Sequence, residues 1–193
     1  SPSEVERIST RPSARPRAAS GAFPSPPPSG AQIQQSIDQL LASDRKDAAA
    51  DVARASGRYG QALALYLECG LHHGAGACLR ALGDLGGAIC HLTLTARDGP
   101  YYREACREVA AASIAYGSLP SLVSSFATPF AESGPRSDQE IPAFLDLAEL
   151  YWSAGERRLA ERSLTGALRL DPNHETAQLM ALTWKSELAR EKG

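Results

Sequence analysis

Cysteine and histidine, the residue types best suited to metal chemistry, crowd between positions 69 and 91 as Cys69, His72, His73, Cys78, Cys90 and His91. Zinc needs four such ligands converging at about 2.0–2.3 Å, and these spacings match no finger or ribbon. No CxxC pair occurs, and all four cysteines, Cys106 included, lie in apolar helix-like segments, where reduced thiols act as small hydrophobes. Cys78 and Cys90 suit helix-packing positions. Gly74-Ala-Gly76 is a fragment of a phosphate-loop pattern, without a preceding strand or a Lys-Ser/Thr ending. No serine stands in a nucleophile elbow, and the acidic residues are scattered along helical segments rather than paired for acid–base work. The expectation is recognition rather than catalysis, with no metal and no cofactor.

The elements that must position any recognition surface are helices. The chain holds 33 Ala and 23 Leu against 4 Val and 6 Ile, a balance that favours helix over sheet. Its net charge of −2 gives no basic field for nucleic acid, and no run of 18 apolar residues spans a membrane. Reduced thiols point to a cytoplasmic protein, and 17 Arg against 3 Lys to a GC-rich bacterial genome. Ser1 is preceded by no Met or apolar signal core, which suggests a processed or partial chain.

Residues 1–30 stand apart. They hold seven of the thirteen prolines, four arginines and the run Phe23-Pro-Ser-Pro-Pro-Pro-Ser-Gly30, too little apolar surface to offset the entropy of ordering. The expectation is a disordered tail or linker with polyproline character. Ser9, Ser13 and Ser20 each follow an arginine closely enough to suit a basophilic kinase.

From Ala31 the periodicity becomes helical, with Ile33, Ile37, Leu40 and Leu41 on one face. Four helix pairs follow, each broken by one glycine: 45–56 and 59–69 about Gly57, 72–82 and 85–95 about Gly83, 101–116 and 119–127 about Gly117, 139–154 and 157–170 about Gly155. These glycines lie 26, 34 and 38 residues apart, and such recurrence marks a stacked array of antiparallel hairpins. Ser137-Asp-Gln-Glu140 has the form of a capping box opening the fourth hairpin, and Asp171-Pro172-Asn173 stops its second helix. A last helix over 175–190 places Ala177, Ala181, Trp184 and Leu188 on one stripe, as a terminal cap requires.

Residues 144–172 closely resemble a tetratricopeptide repeat. Phe144, Leu147, Ala148, Tyr151, Gly155, Ala160, Ala167 and Pro172 fall on the family's pattern. Gly57, Tyr59, Ala62 and Tyr66, then Gly76, Leu79, Gly83, Ala88 and Leu92, follow it more loosely. The third unit keeps Ala110, Gly117 and Phe126, with Leu122 where a small residue is usual. The resemblance implies an all-α, right-handed superhelical array of about four hairpins over residues 31–193, with a C-terminal capping helix. It also implies a concave groove lined by the first helices, carried onto Asp47, Asp51, Arg54, His73, Arg80, Arg107, Ile114, Leu145, Glu149 and Trp152. In that groove Arg80 and Arg107 would pair acidic groups, and Trp152 would anchor an apolar side chain. The Lys- and Asn-rich clamp some members use on a peptide's terminal carboxylate is not evident.

The leading expectation is therefore a non-catalytic adaptor that receives a peptide or helix from a protein partner, with no nucleic acid and no membrane insertion. Two alternatives stay open: self-assembly through exposed ends, and the regulatory arm of a larger protein tethered by the Pro/Arg/Ser segment.

Overall fold

The first helix begins at a capping box. Ser29 Oγ accepts the Gln32 N–H at 3.3 Å, and Gln32 Oε1 accepts the Ser29 N–H at 2.7 Å. In the computed structural model, which describes residues 28–191, ten α-helices follow in order. They are α1 (Gly30–Ala42), α2 (Lys46–Ala55), α3 (Tyr59–Glu68), α4 (His72–Ala81), α5 (Leu85–Thr93), α6 (Tyr102–Tyr116), α7 (Ser121–Ser133), α8 (Ile141–Ser153), α9 (Arg157–Leu170) and α10 (Glu175–Glu191). No strand occurs among the described residues. Of the tail read over residues 1–30, residues 1–27, with Ser9, Ser13 and Ser20, lie outside them, while Ser29 and Gly30 belong to the start of α1.

The four expected turn glycines all have positive φ, between 77° and 87°. At Gly117 the left-handed conformation lets the N–H reach the Ser113 and Ile114 carbonyls at 2.9 and 3.1 Å, closing α6. Consecutive helices pack together throughout. First helices also pack on first helices, α4 on α6 and α6 on α8, and second on second, α5 on α7 and α7 on α9. The chain is thus a two-layered run of helix pairs, closed by α10 on α9. The α10 stripe packs as a cap should, with Ala177 and Trp184 buried, while Leu179 and Leu182 stay about two-thirds exposed at 65% and 64% on other sides of the helix.

Small residues set the spacing. Gly74 and Gly76 are buried within α4, where a methyl group on Gly74 would stand 2.5 Å from the Tyr66 ring, and on Gly76 2.5 Å from Leu92 Cγ. The glycines of the phosphate-loop fragment are there to admit those side chains. Cys78 and Cys106 are buried, but Cys90 is exposed and Cys69 half-buried. The packing role read for Cys90 is corrected accordingly: Ala88, Ile89 and Leu92 form the inner face of α5, and Cys90 points away from it.

The second helix of the third hairpin runs to Ser133, through Pro129, rather than ending at Ala127. Proline takes the hydrogen bond from the carbonyl four residues back. That carbonyl, Ser125 O, is met instead by Arg97 Nη2 at 3.1 Å. A second correction concerns Ser137-Asp-Gln-Glu140, which is no capping box. Ser137 makes no side-chain cap bond, residues Asp138–Glu140 form a 3-10 turn, and the Glu140 carboxylate is engaged elsewhere. It accepts Arg103 Nε at 2.7 Å and Arg103 Nη2 at 2.6 Å, with the Arg136 N–H at 2.7 Å. Burial raises the Glu140 carboxyl's value, but those hydrogen bonds and the positive charge of Arg103 outweigh it. The group sits below the usual carboxylate range.

Two expectations follow. Gly76→Ala lowers stability by about 1–2 kcal/mol net of its better helix propensity, whereas Gly60→Ala, with nothing within 4 Å of the added methyl, gains up to about 1 kcal/mol. Thermal melts compared in one buffer check both. Glu140→Gln leaves Arg103 half-buried without its counter-charge and costs about 3 kcal/mol or more. Because the folded carboxyl value is depressed, the pair's contribution is complete above the unfolded value near about 4.3 and is lost as pH falls from there through the folded value. Urea midpoints between pH 7 and pH 3 must therefore fall more steeply for the wild type than for the variant.

Candidate functional site

The strongest convergence of chemistry-bearing side chains is a cleft of about 410 Å³ where α2, α3, α4 and α6 meet. Helix α2 contributes Asp47, Asp51 and Arg54, one turn apart on one face. Tyr66 of α3 forms part of the wall and donates its hydroxyl to Asp51 Oδ1 at 2.5 Å. His73 of α4 stacks on Tyr101, their ring centroids 3.7 Å apart and planes 7° from parallel. Glu104 of α6 completes the charged set, 3.7 Å from the Arg54 guanidinium. Cys69 and Leu71, in the α3–α4 turn, line the remainder.

The local order has plain causes. Tyr66 is buried, so its hydroxyl must find a partner, and Asp51 supplies one. Burial first, and then that hydrogen bond, push the Tyr66 hydroxyl far above its ordinary value, so it stays protonated and donating. Burial also holds the His73 imidazole below its ordinary value against the opposing pull of Glu104. The ring is neutral near pH 7 and stacks on Tyr101 as an aromatic surface. Three carboxylates against one guanidinium leave the cleft net negative.

Beyond the His73–Tyr101 stack lies a second cavity of about 250 Å³, sharing Leu71, His73 and Tyr101 with the first and adding Leu94 and Pro100. Its floor holds His72, whose Nδ1 is 3.2 Å from Nδ1 of His91. One side of the stack is thus charged and the other mainly apolar. A larger cavity of about 550 Å³ lies along α7 and α9, but Arg158 there is paired with Glu132, and Arg162 donates to the Glu132 carbonyl. No group of three or more His, Cys, Asp or Glu among the described residues is placed to hold a metal ion.

Of the residues expected to line a groove, Asp47, Asp51, Arg54 and His73 come together in this cleft. The others stand apart from it. Arg80 is bound through Nε to Glu108 at 2.6 Å. Arg107 is half-buried on α6 and adds its charge to the field at Glu140. Ile114 is half-buried, Leu145 belongs to the hydrophobic core, and Glu149 is exposed on α8. Trp152 stacks face to face on Trp184 at 4.1 Å, with Arg157 3.7 Å above its ring and its indole N–H on Glu187 at 2.9 Å. Tyr66, Cys69, Leu71, Tyr101 and Glu104 were not among the expected groove residues. Tyr66 was visible only as a packing position, and Tyr101 and Glu104 sit at a helix start that spacing alone does not bring beside α2.

Comparison with known proteins finds no matching family model, no matching curated protein and no matching solved structure.

The Trp152 stack makes a definite prediction. Trp152→Ala and Trp184→Ala each cost about 2–3 kcal/mol. The double variant then costs less than their sum by about 0.5–1.5 kcal/mol, because one stacked pair is being removed twice. Denaturant unfolding of the four proteins measures the coupling, and additive losses would contradict the stack.

Proposed function

We propose that the chain is a non-catalytic protein-binding module, a tetratricopeptide-like array that receives an extended partner segment in the cleft of α2, α4 and α6. The single observation that carries this reading is the composition of that cleft. It is formed by the first helices of three successive hairpins, it presents carboxylates exposed on one side of an aromatic ridge, and it opens onto an apolar cavity on the other. That combination suits an extended peptide offering a cationic side chain beside an apolar one. The fit to the repeat pattern over residues 144–172 supports the family reading, and the packing of first helices on first helices agrees with it. The right-handed superhelix and a cytoplasmic setting belong to the same proposal. No helix among the described residues is long and apolar enough to cross a membrane.

A second reading, self-association, is favoured by Leu179 and Leu182, the two most exposed large apolar side chains described. Light scattering across a concentration series separates it, since a monomer at every concentration removes it.

The test of the first reading uses the full chain against its Asp47→Lys/Tyr101→Ala variant as baits in lysate from the source cells. Both positions are exposed, so circular dichroism should show equal helicity. A protein held by the wild type should bind the variant at least about tenfold more weakly, a loss of about 1.4 kcal/mol. Equal retention by both would put the contact outside the cleft and end this reading.

A further inference from the structure

We infer that the cleft is occupied by this chain's own arginine–proline segment, residues 10–17, with an arginine between the carboxylates and the following proline across the aromatic ridge. The inference rests on the reading of the cleft as a peptide-binding surface and names its occupant.

Charge supplies the first argument. Residues 1–27 carry Arg7, Arg11, Arg15 and Arg17 against Glu4 and Glu6, a net +2 in a chain of net −2, so the remainder carries −4. The cleft concentrates that excess, and among the described residues Asp47 has no ion-pair partner. Asp51 accepts only the Tyr66 hydroxyl, which leaves lone pairs on its carboxylate for a guanidinium. The exposed ring of Tyr101 offers that guanidinium a flat surface as well.

Order along the segment supplies the second. Arg11-Pro12 and Arg15-Pro16 each place a cation directly before an apolar ring. The two cavities present the complementary order, carboxylates first and then Leu94 and Pro100 beyond the His73–Tyr101 stack. Proline also fixes the extended backbone in advance, which reduces the entropy lost on docking.

Reach is the third. The start of α1 is tied to the α2–α3 turn, where Arg58 Nη2 donates to Gly30 O at 2.8 Å, and Arg54 of the cleft lies one helical turn before that point. The residues between Arg17 and Gly30 span up to roughly 40 Å when extended. Tethering gives the segment an effective concentration in the millimolar range, so weak solvent-exposed contacts suffice.

Cys69 lies on the cleft wall and reports occupancy, while Cys90 is exposed outside it and serves as the internal control. The full chain and its Arg11→Ala/Arg15→Ala/Arg17→Ala variant are alkylated with iodoacetamide under native conditions, and each thiol is followed by peptide mass spectrometry. Circular dichroism of both proteins checks that the helical array is unchanged. Cys69 should react at least about threefold faster in the variant, as a cleft docked about two-thirds of the time requires, with Cys90 unchanged. Raising the salt to about 0.5 M should bring the wild type to the variant's rate, since exposed charges are screened at that strength. Asp47→Lys should do so at low salt. Equal Cys69 rates in wild type and arginine variant overturn the inference, and so does protection that disappears over about a fiftyfold dilution, which would mean a second copy's segment. Either result leaves the partner-capture test of the cleft standing by itself.

Discussion

The position of α6 depends on one guanidinium. Arg103 spends four hydrogen bonds on fixed partners: two on the Glu140 carboxylate, one on Ser133 Oγ and one on Gly134 O, while its plane lies 4.7 Å over the Phe130 ring. Those partners sit at the end of α7 and in the irregular stretch leading to α8. Without the arginine, a buried carboxylate and an open helix end would face each other across that break. With it, the fourth hairpin is registered against the third, and α6 is held between them. The same helix presents Tyr101 and Glu104 to the cleft at its opposite neighbour, so the recognition surface and the joint share one rigid element.

Around that joint the packing is governed by small side chains. The core divides into two clusters, one through α1–α4 and one through α5–α10, and they meet across α4. There the Gly74-Ala-Gly76 stretch brings the helix close enough for Tyr66 on one side and Leu92 on the other to fill the space. Close backbone approach has a consequence for the site. Tyr66 is pressed against α4, and its buried hydroxyl is satisfied by Asp51. The orientation of a cleft carboxylate thus follows from the absence of a methyl group on the helix behind it.

Much of this architecture was legible in the sequence, because each hairpin turn needs a positive φ and glycine marks it. Gly57, Gly83, Gly117 and Gly155 bound the pairs where the periodicity divides. Signals within a few residues failed where a distant partner decided the outcome. Ser137 and Glu140 have the types and spacing of a capping box, yet Arg103, thirty-seven residues earlier, takes the glutamate. The helix read as ending at Ala127 continues through Pro129, because Arg97 supplies a donor to the carbonyl the proline leaves open. Ser29 and Gln32, with the same spacing as the false box, form the real one because nothing else competes for them. The site divides in the same way. Asp47, Asp51 and Arg54 share a helical face that spacing reveals, but their meeting with Tyr101 and Glu104 is a tertiary fact. Trp152, placed in the groove by the resemblance to the repeat family, is covered by Trp184 and Arg157, the first of them thirty-two residues away.

The electrostatics of the cleft bear on how firmly anything can be held there. Arg54 and Glu104 are each about a third exposed and 3.7 Å apart, a separation at which an ion pair contributes little. Asp51 shares its charge with a hydroxyl, and Asp47 remains in water. None of these groups is so buried that leaving it unpaired is costly, so the empty cleft carries no large strain and a bound cation gains only modest energy per contact. Specificity must then come from the aromatic ridge, where the His73–Tyr101 stack divides charged from apolar space at a fixed distance. Under the proposed peptide-binding reading, a segment is selected by whether its cation and its apolar side chain fall on the correct sides of that ridge. Because His73 is held neutral by burial, the ridge keeps its aromatic character at the pH where the carboxylates are charged. Under that reading the surface exchanges its occupant readily and still distinguishes one sequence from another.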